Sequence, residues 1–426
     1  MIIHVVRPGD NIYKISKEYG IPAEKITDVN RLPNADSLVI GQTIVIPGDL
    51  TAHTVTSGQS MYSLARGYGI PLDTLLAVNK QIANPDRLQP GQTVIIPQAP
   101  KKLGSIYVNG YAFPNINADV LKNTLPYLTY LSIFSNQVRS DGSLKTINDT
   151  ELIQAARNAG VAPMMVITNI EEGASFSSEL ANDILTNVQI QNTLINNIVA
   201  ILQEKNYYGL DVDFEYLYPE DMQNYNDFIS RIVNTLRPLG YTVTVALAPK
   251  LSADQKGLLY EAHDYPSIGA LADHVILMTY EWGYTYGPAM AVSPINQVRK
   301  VLDYASTAMP SEKILMGMPN YGYDWTLPFV RGSAARTLTN NGAILLALKV
   351  GANIQYDEVS QSPYFNYFDS AGKRHEVWFD DARSIQARLE LVDIYDLGGV
   401  SYWTINSFFP INWLILESMY NIRKVI

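Results

Sequence analysis

The chain has no cysteine in its 426 residues, which excludes disulfides, thiolate metal sites and a cysteine nucleophile together. Histidine is scarce, five in all, and none has a spacing that builds a metal site. No metal and no cofactor is therefore expected. No apolar run approaches the roughly 20 residues that cross a bilayer, so no membrane span is expected. Blocks of Lys and Arg are also missing, and the formal net charge is −10. Phosphate binding rests on clustered cations, so a nucleic-acid partner is not expected. The first eight residues, Met1 to Pro8, lack a basic stretch followed by an apolar one, so no signal peptide is expected. What the chain does have is tyrosine, 28 against 11 phenylalanines. A flat apolar ring carrying a hydroxyl suits stacking on sugars, although most of these rings are expected to pack inside the fold.

The first hundred residues repeat themselves. His4-x-Val6-x-x-Gly9 returns as His53-x-Val55-x-x-Gly58, Tyr13-x-Ile15 as Tyr62-x-Leu64, and Asn30 as Asn79. Gly41-Gln42-Thr43 with Ile46-Pro47 then matches Gly91-Gln92-Thr93 with Ile96-Pro97, the offset growing by one residue after Asn79. Each unit reads as strand, two short helices, strand. In the first, a strand at 3–6 precedes a Gly-Asp turn, Asp10 is placed to cap a helix around 11–18, and a strand at 43–46 closes the unit. A short linker with a helix-hostile proline, Gln98-Ala99-Pro100-Lys101-Lys102, follows.

From residue 105 onward, short β-rich runs alternate with segments of helical length. Strands are expected at 105–111, 127–135, 162–168, 208–214, 241–248, 274–280, 314–321 and 398–405. Helices between them include 187–205, 220–237, 294–307 and 381–393. The expected fold class is α/β: a (β/α)8 TIM barrel with a small α+β insertion at about 325–379, preceded by two small βααβ modules. The expected boundaries are 1–48 and 49–98 for the modules and 103–426 for the barrel.

The chemistry concentrates in Gly209-Leu210-Asp211-Val212-Asp213-Phe214-Glu215-Tyr216. Alternate residues of a strand face the same way, so Asp211, Asp213 and Glu215 point together while Leu210, Val212 and Phe214 face the surrounding helices. Three carboxylates on the inward face of a barrel strand are costly to ionise. At least one should hold a proton near neutral pH, as a general acid must. His263 and His274 are expected to be structural.

The two repeats resemble LysM modules, which bind N-acetylglucosamine-containing glycans between the loop after the first strand and the loop before the second. The resemblance implies grooves formed by Gly9-Asp10-Asn11 with Asn30-Arg31-Leu32, and by Gly58-Gln59-Ser60 with Asn79-Lys80. The acidic strand resembles the D-x-x-D-x-D-x-E motif of glycoside hydrolase family 18, with further matches at Gly110-Tyr111, Met278-Thr279-Tyr280, Gly317-Met318-Pro319-Asn320-Tyr321 and Ser401-Tyr402-Trp403. That resemblance implies a retaining glycosidase with substrate-assisted catalysis, an exception to the two-carboxylate scheme. Glu215 is then the acid/base, Asp213 orients the substrate's acetamido group, Asp211 shares a proton with Asp213, and Tyr280 donates to the acetamido oxygen. Trp403 floors the reacting sugar, and Tyr111, Met278, Glu281 and Asn320 complete the substrate site.

The sequence departs from the family pattern in three places. Tyr208 stands where the motif has its first Asp, Val166-Ile167-Thr168-Asn169 replaces the S-x-G-G element of strand three, and Glu281 follows Tyr280 where chitinases usually have Asp. Neither of the first two positions carries proton transfer, but the departures point away from a plain chitinase. Taken with the LysM pair, the pattern resembles bacterial spore cortex-lytic N-acetylglucosaminidases. The expected partner is peptidoglycan or another N-acetylglucosamine polymer. The expected location is the spore coat and cortex or the cell wall, and the expected state is a monomer. The alternatives are a chitinase or chito-oligosaccharidase, and a wall-binding lectin with an inactive barrel.

Overall fold

A computed structural model describes residues 1–32, 37–98, 101–171, 173 and 175–426. Two residues of the expected linker, Ala99 and Pro100, lie outside them. The described residues divide into two units. One comprises Met1–Gly104, Gly322–Ala387 and Phe409–Tyr420; the other comprises Ser105–Tyr321, Arg388–Phe408 and Asn421–Ile426.

In the first unit each repeat is an antiparallel strand pair with two helices between its strands. Ile2–Val5 pairs with Thr43–Ile46 around helices Ile12–Tyr19 and Ala23–Asn30. Thr51–Thr54 pairs with Thr93–Ile96 around Met61–Tyr68 and Leu72–Ala77. Each module closes on a small apolar core: Ile15, Ile26, Ile44 and Ile46 in the first, which Ile95 of the second joins, and Leu64, Leu75, Val94 and Ile96 in the second. Asp10 does not cap the first helix. That cap is Asn11, whose side chain accepts the Lys14 N–H, while Asp10 Oδ2 accepts the Arg7 N–H at 2.7 Å and tightens the preceding turn. A short carboxylate next to a turn meets the turn's own unpaired N–H first.

The same unit holds an antiparallel five-stranded sheet in the order 336–338, 322–327, 374–378, 362–368, 355–357, together with helix Asn340–Val350. Trp325 is buried there, and Trp378 stacks on Tyr364 with ring centroids 4.6 Å apart. The first module is joined to this sheet's edge: the Ile354 N–H donates to the Ile40 carbonyl at 2.9 Å, and Arg383, which lies over the Tyr356 ring, donates to the Gly41 carbonyl at 3.3 Å. At Gly41, with φ +85°, a Cβ would stand 1.9 Å from the Ile354 carbonyl oxygen, so glycine is required there on two counts.

The second unit is a closed parallel barrel. Its strands are β1 (Gly104–Ala112), β2 (Tyr130–Val138), β3 (Ala162–Thr168), β4 (Gly209–Asp213), β5 (Thr242–Leu247), β6 (His274–Leu277), β7 (Ile314–Pro319) and β8 (Gly399–Trp403). Each pairs in parallel with the next, and β8 returns to β1 through Gly399↔Tyr107. The second strand begins three residues later than the 127 expected, because Leu125–Tyr127 winds into a 3₁₀ turn around Pro126, which cannot donate to a ladder. Inside, Tyr111, Val166, Ala246, Ile276 and Leu315 pack together. Outside, helices such as Val188–Glu204, Met222–Leu236 and Ile295–Ala308 cover the strands.

Candidate active site

Strand β4 is buried along its whole length. Its outward face does what alternation demands: Leu210, Val212 and Phe214 are fully buried, and Phe214 stacks parallel to Tyr225 and meets Phe228 of the covering helix. That packing fixes the strand's rotation and leaves Asp211 and Asp213 for the interior. Asp211 lies in register between Val166 of β3 and Thr244 of β5, and Asp213 beside Thr168. Glu215 follows beyond the end of the ladder and is half-buried.

Asp211 is completely shielded from solvent. Burial pushes its carboxyl up to about 7, although the neighbouring Tyr111 and Ser132 hydroxyls pull the other way. The Ser132 hydroxyl lies 3.0 Å from both Asp211 Oδ2 and Asn109 Oδ1. It has one hydrogen, so it can serve Asn109 while Asp211 is protonated and turn to Asp211 when that proton leaves. Asp213 is held well above the carboxylate range, first by burial and then by the charges of Glu215 and Asp211. Glu215 is pushed up to about 7, again by burial first and by the Glu281 carboxylate second. The charged groups acting on these three carboxyls are all acidic. The cluster therefore retains protons near neutrality.

The other expected residues separate into those the barrel gathers here and those it uses elsewhere. Tyr280 follows β6, with Asp213 and Glu215 both acting on its phenol. Gly317 of β7 makes room for it, since a Cβ there would stand 2.7 Å from Tyr280 Cε1. Tyr111, Met278 and Trp403 border the interior cluster, and Trp403 meets Tyr111, Phe113 and Phe134 edge-on at centroid distances of 5.3, 5.8 and 4.9 Å. Glu281 is exposed, has φ +66°, and accepts a hydrogen bond from the Tyr321 hydroxyl. Asn320 is not left open to a ligand in the way expected. It is buried, and its Nδ2 donates to the carbonyls of Thr404 and Ser407 at 2.9 and 2.8 Å, which ties down the loop after β8.

The modules hold their expected residues within their own folds. Asn30 and Asn79 are buried and committed to the modules' own backbones. Asn30 donates to the carbonyls of Ile26 and Val45 and accepts the Val45 N–H, and Asn79 repeats this with Leu75 and Ile95. They bind the second helix to the closing strand. Asp10 and Gln59 brace their turns, each accepting from the backbone three residues earlier and lying within reach of the ring Nε2 of His4 or His53. Gly9 and Gly58 carry the turns themselves, both at φ +85°. Tyr13 and Tyr62, at equivalent positions in the two modules, are 67% and 65% exposed.

Within the barrel, Asn169 also reaches the acidic segment. It lies one position past β3 and is fully buried. Its side chain bonds both backbone groups of Glu215. His263 is structural as expected: Nδ1 accepts the Ala248 N–H at 2.9 Å and Nε2 faces the Phe214 carbonyl at 3.0 Å. Burial keeps this imidazole neutral, its pKa lowered to about 4. His274 is likewise buried, with Nε2 3.1 Å from the Tyr130 hydroxyl. No group of three or more His, Cys, Asp and Glu that could hold a metal occurs among the described residues.

A closed parallel barrel with stacked carboxyls leading to a half-exposed glutamate at the carboxyl end of β4 is the arrangement of a glycosidase. Residues 105–407 match Glycosyl hydrolases family 18, and residues 4–47 and 53–97 each match the LysM domain. The chain belongs to family 18 and carries two LysM modules. It is 45% identical to the cortical fragment-lytic enzyme of Bacillus subtilis, with 100% of this chain and 99% of that one covered. It also resembles the crystal structure of the Bacillus megaterium spore cortex-lytic enzyme SleL, at 41% identity and TM-score 0.91 over 100% of this chain and 99% of that one. A chitinase from Chromobacterium violaceum shares the fold at 24% identity and TM-score 0.69, covering 74% of this chain and 98% of that one.

Proposed function

We propose that the enzyme is an N-acetylglucosaminidase that degrades peptidoglycan of the spore cortex, or fragments of it, acting as a spore-associated monomer. One observation carries the reading: a half-buried glutamate with a raised pKa stands at the open end of a strand whose two preceding inward residues are buried, proton-retaining aspartates. The relatives that match over the full chain are cortical fragment-lytic and spore cortex-lytic enzymes, which supports cortex as the substrate.

In this mechanism Glu215 gives its proton to the glycosidic oxygen as the C1–O bond breaks. The substrate's own 2-acetamido oxygen supplies the electron pair to C1, forming a cyclic oxazolinium ion. Asp211 and Asp213 share one proton, which rests on Asp211 while the ionised Asp213 accepts the acetamido N–H and aligns it, and Tyr280 donates to the acetamido oxygen. The leaving sugar departs, and water then attacks C1 while Glu215 removes its proton and the bond from C1 to the acetamido oxygen breaks, restoring the acetamide, so the anomeric configuration is retained. The requirement for an N-acetyl group on the cleaved sugar agrees with LysM modules that hold N-acetylglucosamine glycans. Tyr13 and Tyr62 offer that contact a stacking surface, and two weak sites in tandem gain from effective concentration on a polymer.

The test is product analysis on purified cortical fragments: reduction of the new ends followed by mass spectrometry. Reduced N-acetylglucosamine ends are expected, and reduced muramic ends would reject the specificity. Chitin oligomers run in parallel should be the poorer substrate; faster turnover of chitin would favour the chitinase alternative.

A further inference from the structure

We propose that Asn169 is a positioning residue for Glu215, a role that rests on the reading of Glu215 as the acid. The β3–β4 ladder ends at the pair Thr168↔Asp213. Glu215 lies two residues beyond it, so the strand neighbours no longer fix the backbone of the one residue whose placement matters most. The Asn169 carboxamide takes over that task. Its Oδ1 accepts the Glu215 N–H at 2.9 Å, and its Nδ2 donates to the Glu215 carbonyl at 2.9 Å and to the Ser177 carbonyl at 3.0 Å. A primary amide has the shape and polarity of a peptide group, so this side chain continues the ladder as a neighbouring strand would. With both Nδ2 hydrogens and the carbonyl engaged inside a fully buried site, it is locked in orientation.

The residues on either side are held as well. The Phe214 carbonyl accepts from His263 Nε2, whose hydrogen is assigned there because Nδ1 accepts the Ala248 N–H. The Tyr216 carbonyl accepts from the Ser178 hydroxyl, and Tyr216 turns the chain away at φ +55°. Side chains from both flanking loops thus grip residues 214–216, and Asn169 grips the one carrying the acid. A glutamate has three side-chain torsions between backbone and carboxyl, so a small backbone shift is enough to misplace its proton.

The test is steady-state hydrolysis of soluble cortical fragments by the full chain, with folding monitored alongside. Asn169→Ala should lower kcat about 10- to 100-fold while KM stays within about twofold. Asn169→Asp keeps the shape, and when ionised it loses both donors. When protonated the introduced carboxyl regains one, so its kcat relative to the native chain should rise at least about fivefold from about pH 7 to about pH 4.5. A native kcat in Asn169→Ala, a loss matching only the unfolded fraction, or a flat ratio in Asn169→Asp would overturn the proposal. If the alanine variant does not fold, the aspartate ratio decides. Native turnover by Glu215→Gln would instead remove the reading on which the role rests, so the two failures are distinguishable.

Discussion

Asp211→Asn should make the protein more stable in mild alkali while impairing hydrolysis. Asp211 is wholly buried, and burial raises its carboxyl from 3.8 to about 7. For such a group the native state binds the proton more tightly than the unfolded chain. Its contribution to stability is complete below the unfolded value and is lost as pH rises through the folded one. That rise corresponds to about 4 kcal/mol once pH exceeds both values. Asparagine is nearly isosteric, keeps an acceptor for Ser132 and never ionises. The variant should therefore exceed the native chain by ~2–4 kcal/mol at about pH 8, and the gap should close near pH 4. Guanidinium unfolding followed by tryptophan fluorescence at a series of pH values measures it. A pH-independent difference, or a variant less stable than native at about pH 8, would refute the assignment of a strained, proton-holding carboxyl.

The rate should follow the same electrostatics. With Glu215 at about 7 in the free enzyme, kcat/KM should fall about tenfold per unit on the alkaline side, and Glu281→Gln should move that limb to lower pH; a limb that stays put would discount Glu281. Asn30→Ala and Asn79→Ala each remove three buried hydrogen bonds to backbone and should cost about 2–3 kcal/mol in their modules, seen as a lower unfolding midpoint; a native midpoint would return these residues to the list of ligand contacts. Tyr13→Ala with Tyr62→Ala should weaken sedimentation with peptidoglycan sacculi at least about tenfold, and undiminished binding by the double variant would move the glycan contact elsewhere.

Much of this was legible because period and burial agree. Ala162–Thr168 and Ile314–Pro319 are continuous buried runs, so their expected limits lay within two residues of those observed. The acidic strand was legible for a related reason: Leu210, Val212 and Phe214 leave the alternate carboxyls one direction to face. Less legible was any polar side chain whose partner is distant backbone. Asn169 appears in the sequence only as a departure from a motif, because the peptide group it holds lies 46 residues away. Asn30 reaches a carbonyl 15 residues on and Asn320 reaches one 84 residues on, so all three side chains are spent on partners that no local pattern reveals. Asn11 took the cap expected of Asp10 because the tight turn at Gly9 brings the Asp10 carboxylate back onto the Arg7 N–H.

The central claim is that one proton, carried by Glu215, breaks the glycosidic bond. Glu215→Gln tests it most directly, since the amide keeps the side chain's shape and hydrogen-bonding reach but has no acidic proton to give. The account predicts native folding, native binding to sacculi, and hydrolysis of cortical fragments reduced about 10²–10⁴-fold. Turnover within a few-fold of the native enzyme would contradict it.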